Sequence, residues 1–301
     1  MTHHWGYVSG ILSALLVGLG TCLNKIVLAE THPILVAGLV YLFAGVSLSL
    51  IRLLPFGNKI MLSLGITSKS EVGLNKKDLI VLALVMFSGA VIAPFLFLNG
   101  LNQTTAINAS LLQNTESLFT VLIAFSFLKE RANRREWSGL LLLTLGAIFL
   151  TTNAAFDKLT LTQSLYGNIL IVLGGLFWGI DNNLSKFLSQ NKNLLVVTAL
   201  KCLTGGTILV LLAQALGLEF HIALTALPYL AIAGAFGIGF SILLFLVSLR
   251  KIGAMKTGVI FSTSSLFGAA FAFLILRESF SAIQLVAGSV MLIGVYIIYK
   301  K

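Results

Sequence analysis

Ten apolar runs, each about as long as a bilayer core is thick, follow one another along this chain. They fall near 7–28, 33–54, 79–101, 105–128, 135–152, 166–188, 194–216, 227–249, 254–276 and 281–299. About 20 apolar residues in a helix cross the hydrocarbon, and a helix satisfies its own backbone there. Only 10% of the residues are charged and 57% are hydrophobic, whereas a soluble domain carries about 25% charged residues. The longest polar stretch, about 56–78, leaves no room for a soluble domain. The runs predict an all-α integral membrane protein of ten transmembrane helices in the lipid bilayer.

The net charge of +10 could suggest nucleic acid, but its distribution follows membrane topology instead. Even-numbered connections carry Lys59, Lys69, Lys76 and Lys77, then Lys129, Arg131, Arg134 and Arg135, then Lys192, then Arg250 and Lys251. The tail adds Lys300 and Lys301. Odd-numbered connections carry only Glu30, Asp157 with Lys158, Glu219, and Arg277 with Glu278. The positive-inside rule then predicts a multi-pass protein of the cell (plasma or inner) membrane with both termini cytoplasmic. No nucleic-acid partner is expected. Met1-Thr2-His3-His4-Trp5 has no basic n-region, so the first run reads as a retained helix. Cys22 and Cys202 lie inside apolar runs and read as small buried hydrophobes. Pro94 lies inside the third run, where its missing N–H predicts a free carbonyl and a kink.

The halves repeat. A shift of 148 residues carries Phe97 onto Phe245, Ser117-Leu118-Phe119 onto Ser265-Leu266-Phe267, Glu130 onto Glu278 and Gly146 onto Gly294. A shift of 161 pairs Gly18 with Gly179 and Lys25 with Lys186. Two units are expected, 1–153 and 154–301. Each holds an odd number of spans, so the second is inverted relative to the first, as in many secondary transporters. Asn133-Arg134-Arg135-Glu136 and Ser281-Ala282-Ile283-Gln284 read as equivalent capping boxes that start the last helix of each half.

Leu-Lys-Glu at 128–130, its echo Leu-Arg-Glu at 276–278, a Gly later in each following helix, and Phe177-Trp178-Gly179 in the sixth run resemble the EamA-type transporters of the drug/metabolite transporter superfamily. The resemblance covers nearly the whole chain and rests on the two-fold recurrence rather than on one motif. It implies two inverted five-helix repeats around a central cavity, and export of small metabolites, often amino acids. The chain departs from the family's frequent Arg in the second span, where Val40 and Tyr41 stand; Lys201 holds the corresponding place in the second half.

An ionisable group near the bilayer centre costs about 2.5–3.5 kcal/mol on insertion scales, so such groups face the bundle interior or a partner. Glu116 lies almost at the middle of the fourth run, and Gln113 and Asn114 precede it. It is read either as a proton-coupling carboxyl on a polar cavity wall or as an interhelical hydrogen-bonding group. The repeat places Thr263 and Ser264 on the opposite wall, so a symmetric carboxylate pair is excluded. Asp181-Asn182-Asn183 is the densest polar cluster inside a run and is read as substrate-binding or as interhelical glue. Asp181 and Lys201 lie equally far from Asn191, so an antiparallel hairpin would pair them at one depth. Lys25, Lys186 and Lys256 lie near run ends and can snorkel to the headgroups. Trp5, Trp137 and Tyr299 fit an interfacial belt.

No P-loop, HExxH or GxSxG pattern occurs, which disfavours an ATP-driven pump or a membrane hydrolase. No catalytic residue, metal or cofactor is expected. The expectation is a secondary active transporter that exports a small metabolite, an amino acid or related compound, by alternating access. The alternative is a non-transporting polytopic protein, an enzyme or scaffold.

Overall fold

The structure, a computed structural model, describes residues 2–54, 75–127, 134–152, 162–189, 192–220 and 222–299. Regular structure in them is helical throughout. The helices are α1 (Thr2–Val27), α2 (Pro33–Leu53), α3 (Lys76–Gln103), α4 (Ala106–Leu112), α5 (Thr115–Phe127), α6 (Arg134–Thr152), α7 (Gln163–Ser189), α8 (Leu194–Ala215), α9 (Leu224–Gly253), α10 (Ser264–Ile275) and α11 (Ala282–Tyr299). A further helical stretch, 254–261, follows Gly253, whose φ of +82° turns the chain. Six helices are long and apolar enough to cross a membrane: His4–Val27, Pro33–Leu53, Lys76–Gln103, Gln163–Ser185, Leu194–Ala215 and Leu224–Gly253. Trp137–Thr152, Ser264–Ile275 and Ala282–Ile298 are shorter apolar helices.

Polar side chains set the helix starts. Asn75 and Asp78 form a capping box at α3, each bonded to the other's N–H at 2.9 Å. Thr105 caps α4 and Asn193 caps α8. The expected box at α11 is present, with Ser281 N–H donating to Gln284 Oε1 at 2.8 Å. Its partner at Asn133, the Lys and Arg of 55–74, 128–133 and 153–161, and the side chains of Glu136, Lys186 and Tyr299 lie outside the described residues.

Two runs expected as single helices are broken. The run 105–128 divides into α4 and α5 at Gln113-Asn114, and the run 254–276 divides at Ser262-Thr263. At the first break the N–H groups reach back three residues instead of four: Asn114 to Leu111 O at 3.2 Å, Glu116 to Gln113 O at 3.0 Å. The Thr115 hydroxyl donates to Leu112 O at 2.7 Å. At the second, Thr263 N–H and hydroxyl both donate to Ile260 O, at 3.0 and 2.6 Å. Clustered Asn, Thr and Ser offer the backbone these alternatives to the α ladder. The kink expected near Pro94 is a widened turn: Phe87–Ile92 is π-helical, and a second π segment spans Ala233–Phe240. Both kinds of irregularity recur within a residue or two of the repeat offset: the breaks lie 149 residues apart, and the π segments end at Ile92 and Phe240, 148 apart.

The helices pair across the two halves of the chain: α1 with α9 and α10, α2 with α8, α3 with α7, and α6 with α11. Glycines permit the closest crossings. A Cβ on Gly100 would meet Gly167 O at 2.6 Å, and one on Gly139 would meet Gly294 O at 2.6 Å. The buried apolar core runs through Val36, Leu101, Ile107, Leu112, Leu143 and Met291. Leu53, Leu84, Leu274 and Val286 point outward and exposed, which suits a lipid-facing surface.

Candidate functional site

Polar side chains from α1, α5, α7, α8 and α9 gather around one cavity of about 140 Å³, whose wall α2 and α3 complete. The helix break turns Gln113 and Glu116 toward it. Glu116 lies in the first turn of α5, where the helix dipole favours negative charge. Its Oε1 accepts from Asn182 Nδ2 at 2.7 Å, and the same amide reaches Thr120 Oγ1 at 3.3 Å. The other carboxyl oxygen of Glu116 has no protein partner among the described residues. The Gln113 amide has none there either.

One turn along α7 from the Trp178 ring, Asp181 meets Lys201 of α8. Nζ lies 2.5 Å from Oδ2, and both side chains are 8% exposed. Ser185 donates to the second Asp181 oxygen at 3.2 Å. The hairpin expectation for this pair therefore holds. Asp181 fits because residue 89 is glycine; any Cβ there would collide with its carboxyl group. The Gly89 carbonyl is also the one set free by the irregular turn, since Ala93 N–H goes to Ser88 O and Pro94 has no N–H to give. Tyr41 OH and Trp178 Nε1 take it up, at 3.0 and 3.2 Å.

The structure thus brings Gln113, Glu116, Asp181, Asn182 and Lys201 to one cavity and sets the other four predicted residues behind it. Asn114 donates to Ser265 Oγ at 3.0 Å and ties the α4–α5 break to α10. Asn183 donates to Thr120 O and Gly179 O, holding α7 against α5. Ser264 is buried, and Thr263 bonds its own helix. Sequence reasoning missed Thr21, Asn24, Thr198 and Ser241 as cavity residues. Their isolated polar letters in apolar runs were the available signal. Below the polar belt the wall is apolar, with Leu188, Leu194, Leu246 and Leu249.

The bundle end beside Asn24 is tied by two charges that sequence reasoning left elsewhere. Lys25 does not snorkel; its Nζ donates to Leu101 O and Thr104 O, both at 2.7 Å, closing the end of α3. Glu278 accepts the Ala106 and Ile107 N–H groups at 2.9 Å each, closing the start of α4. At the opposite end Lys192 and Asp78 form an ion pair at 2.5 Å. Lys256 stands over the Tyr7 ring at 5.7 Å.

The model of the EamA-like transporter family matches residues 4–152 and 165–300. This chain belongs to that family. A relative from Methanothermobacter thermautotrophicus, named as an uncharacterized transporter, is 38% identical over 99% of this chain and 87% of its own length. The uncharacterized transporter YetK of Bacillus subtilis is 24% identical over 66% of this chain and 57% of its own. One from Archaeoglobus fulgidus is 25% identical over 73% and 76%. A crystal structure at 14% identity shares the fold, with a TM-score of 0.69 over 97% of this chain and 94% of that one. The chain is a multi-pass membrane protein of a transporter family.

Proposed function

We propose that this protein is a secondary active transporter that exports a small amphipathic metabolite, an amino acid or related compound, by alternating access. The observation that carries this reading is the polar belt of Glu116, Asn182, Asp181 and Lys201 set in a largely apolar cavity between cross-paired helices. The proposed architecture is ten spans in two inverted repeats, 1–153 and 154–301, with both termini cytoplasmic in the plasma or inner membrane. Support comes from the repeat offset, which relates the two helix breaks and the two π segments to within a residue or two, and from the Lys/Arg alternation. Glu116 is the proposed proton-coupling group. Its second oxygen faces the cavity unpartnered, so a carboxyl there can exchange a proton when that cavity meets water. Counterflow in liposomes tests the reading: labelled metabolite should accumulate against unlabelled metabolite inside. A purified, folded protein that moves no member of a broad metabolite panel would instead support the enzyme or scaffold alternative.

A further inference from the structure

The charges around the cavity narrow the proposed cargo from amino acids to related amines. Among the described residues its charged lining consists of Glu116, Asp181 and Lys201. Lys201 is engaged by Asp181 at 2.5 Å and is buried. Lys25, next in sequence to the lining residue Asn24, donates to the carbonyls of Leu101, Asn102 and Thr104. Among the described residues that line the cavity, no cation is therefore free to receive a carboxylate or phosphate. The negative side is different, because Glu116 spends one oxygen on Asn182 and presents the other. Gln113, one turn away on the same wall, presents an amide without a protein partner.

We infer that the cargo group this cavity recognises is an ammonium, received by Glu116 and the Gln113 carbonyl oxygen, and that a carboxylate on the cargo is not recognised. The inference rests on the transport reading of the cavity. A buried carboxylate needs a countercharge, and an alkylammonium supplies one together with N–H donors directed at oxygen. Next to Glu116 the wall continues through Trp178, Phe97 and Val40, where an apolar or aromatic body packs. Asn24 belongs to the same lining. It is 4% exposed, its Oδ1 is buried without a partner, and it lines the cavity. Native proteins rarely leave such an atom unmet. A hydroxyl or amide donor on the cargo would satisfy it. The class is thus a primary amine with an apolar body and a second polar donor.

Binding to the purified full-length protein decides this without any transport step. Isothermal titration with 2-phenylethylamine, phenylalanine and 3-phenylpropanoate compares the same body carrying ammonium alone, both groups, or carboxylate alone. The amine should bind at least tenfold more tightly than the carboxylate, and phenylalanine no more tightly than the amine. Glu116→Gln should weaken the amine at least tenfold, and Gln113→Leu should weaken it less. The wild-type series stands even if a variant fails to fold. Failure of the amine to bind, a carboxylate that binds as well, or amine affinity unchanged in a folded Glu116→Gln overturns the inference. Counterflow of any cargo in the same preparation would then still uphold the transport reading.

Discussion

Lys201 and Asp181 meet at 2.5 Å across the α7–α8 hairpin, twenty residues apart in sequence and both buried. Each is the other's desolvation remedy. Removing one partner of a buried pair costs about 3–5 kcal/mol, because the remaining charge is stranded. Asp181→Asn is therefore expected to lower thermal stability in detergent sharply, and Asp181→Asn with Lys201→Met to recover much of it. A double-mutant cycle without coupling energy would reject this account.

Glu116→Gln keeps the size of the side chain and the bond from Asn182 but cannot ionise. The variant is expected to fold and, at substrate concentrations raised to offset its weaker binding, to exchange substrate across a liposome while losing net transport driven by a pH gradient. The check is uptake at fixed substrate with and without that gradient. Net transport with unaltered pH dependence would remove Glu116 from proton coupling.

Gly139 and Gly294 bring the α6 and α11 backbones into contact, with a built Cβ on Gly139 only 2.6 Å from Gly294 O. Gly139→Leu is expected to destabilise the bundle by about 1–3 kcal/mol through overpacking. Thermal melts read this directly. An unchanged melting temperature would mean that the two helices do not touch there.

Glu278 closes the first turn of α4 with both of its oxygens. Glu278→Ala leaves two N–H groups without that acceptor, and an N-cap loss costs about 0.5–2 kcal/mol. Glu278→Gln retains one acceptor oxygen and is expected to fall between Ala and wild type. The reverse order in melting temperature would contradict the capping role.

The two-sided distribution of charge gives a topological prediction. Single cysteines at Lys76 and Glu219 are expected to react with an impermeant thiol reagent from opposite sides of sealed vesicles. Labelling from the same side would defeat both the ten-span count and the inverted repeat.

The sequence by itself determined the membrane class, the helical content, the family, the α11 capping box and the Asp181–Lys201 hairpin. The family rests on the recurrence between the two halves; the others rest on short-range properties: run length, cap spacing, or two residues equally far from one connection. The charge alternation likewise sufficed to state a topology that labelling can test. The tertiary structure decided which polar residues share a cavity. Asn182 and Asn183 are neighbours, yet one faces Glu116 and the other holds Thr120 O, because successive residues of a helix point about 100° apart. In a run that is apolar on nearly every side, periodicity does not reveal which face turns inward. Lys25 and Glu278 escaped for a related reason. Their partners are backbone groups 76 to 172 residues away, and backbone groups leave no mark in the sequence. Only packing brings a charge to a helix end that lacks N–H or C=O partners, and in lipid no water is there to supply them.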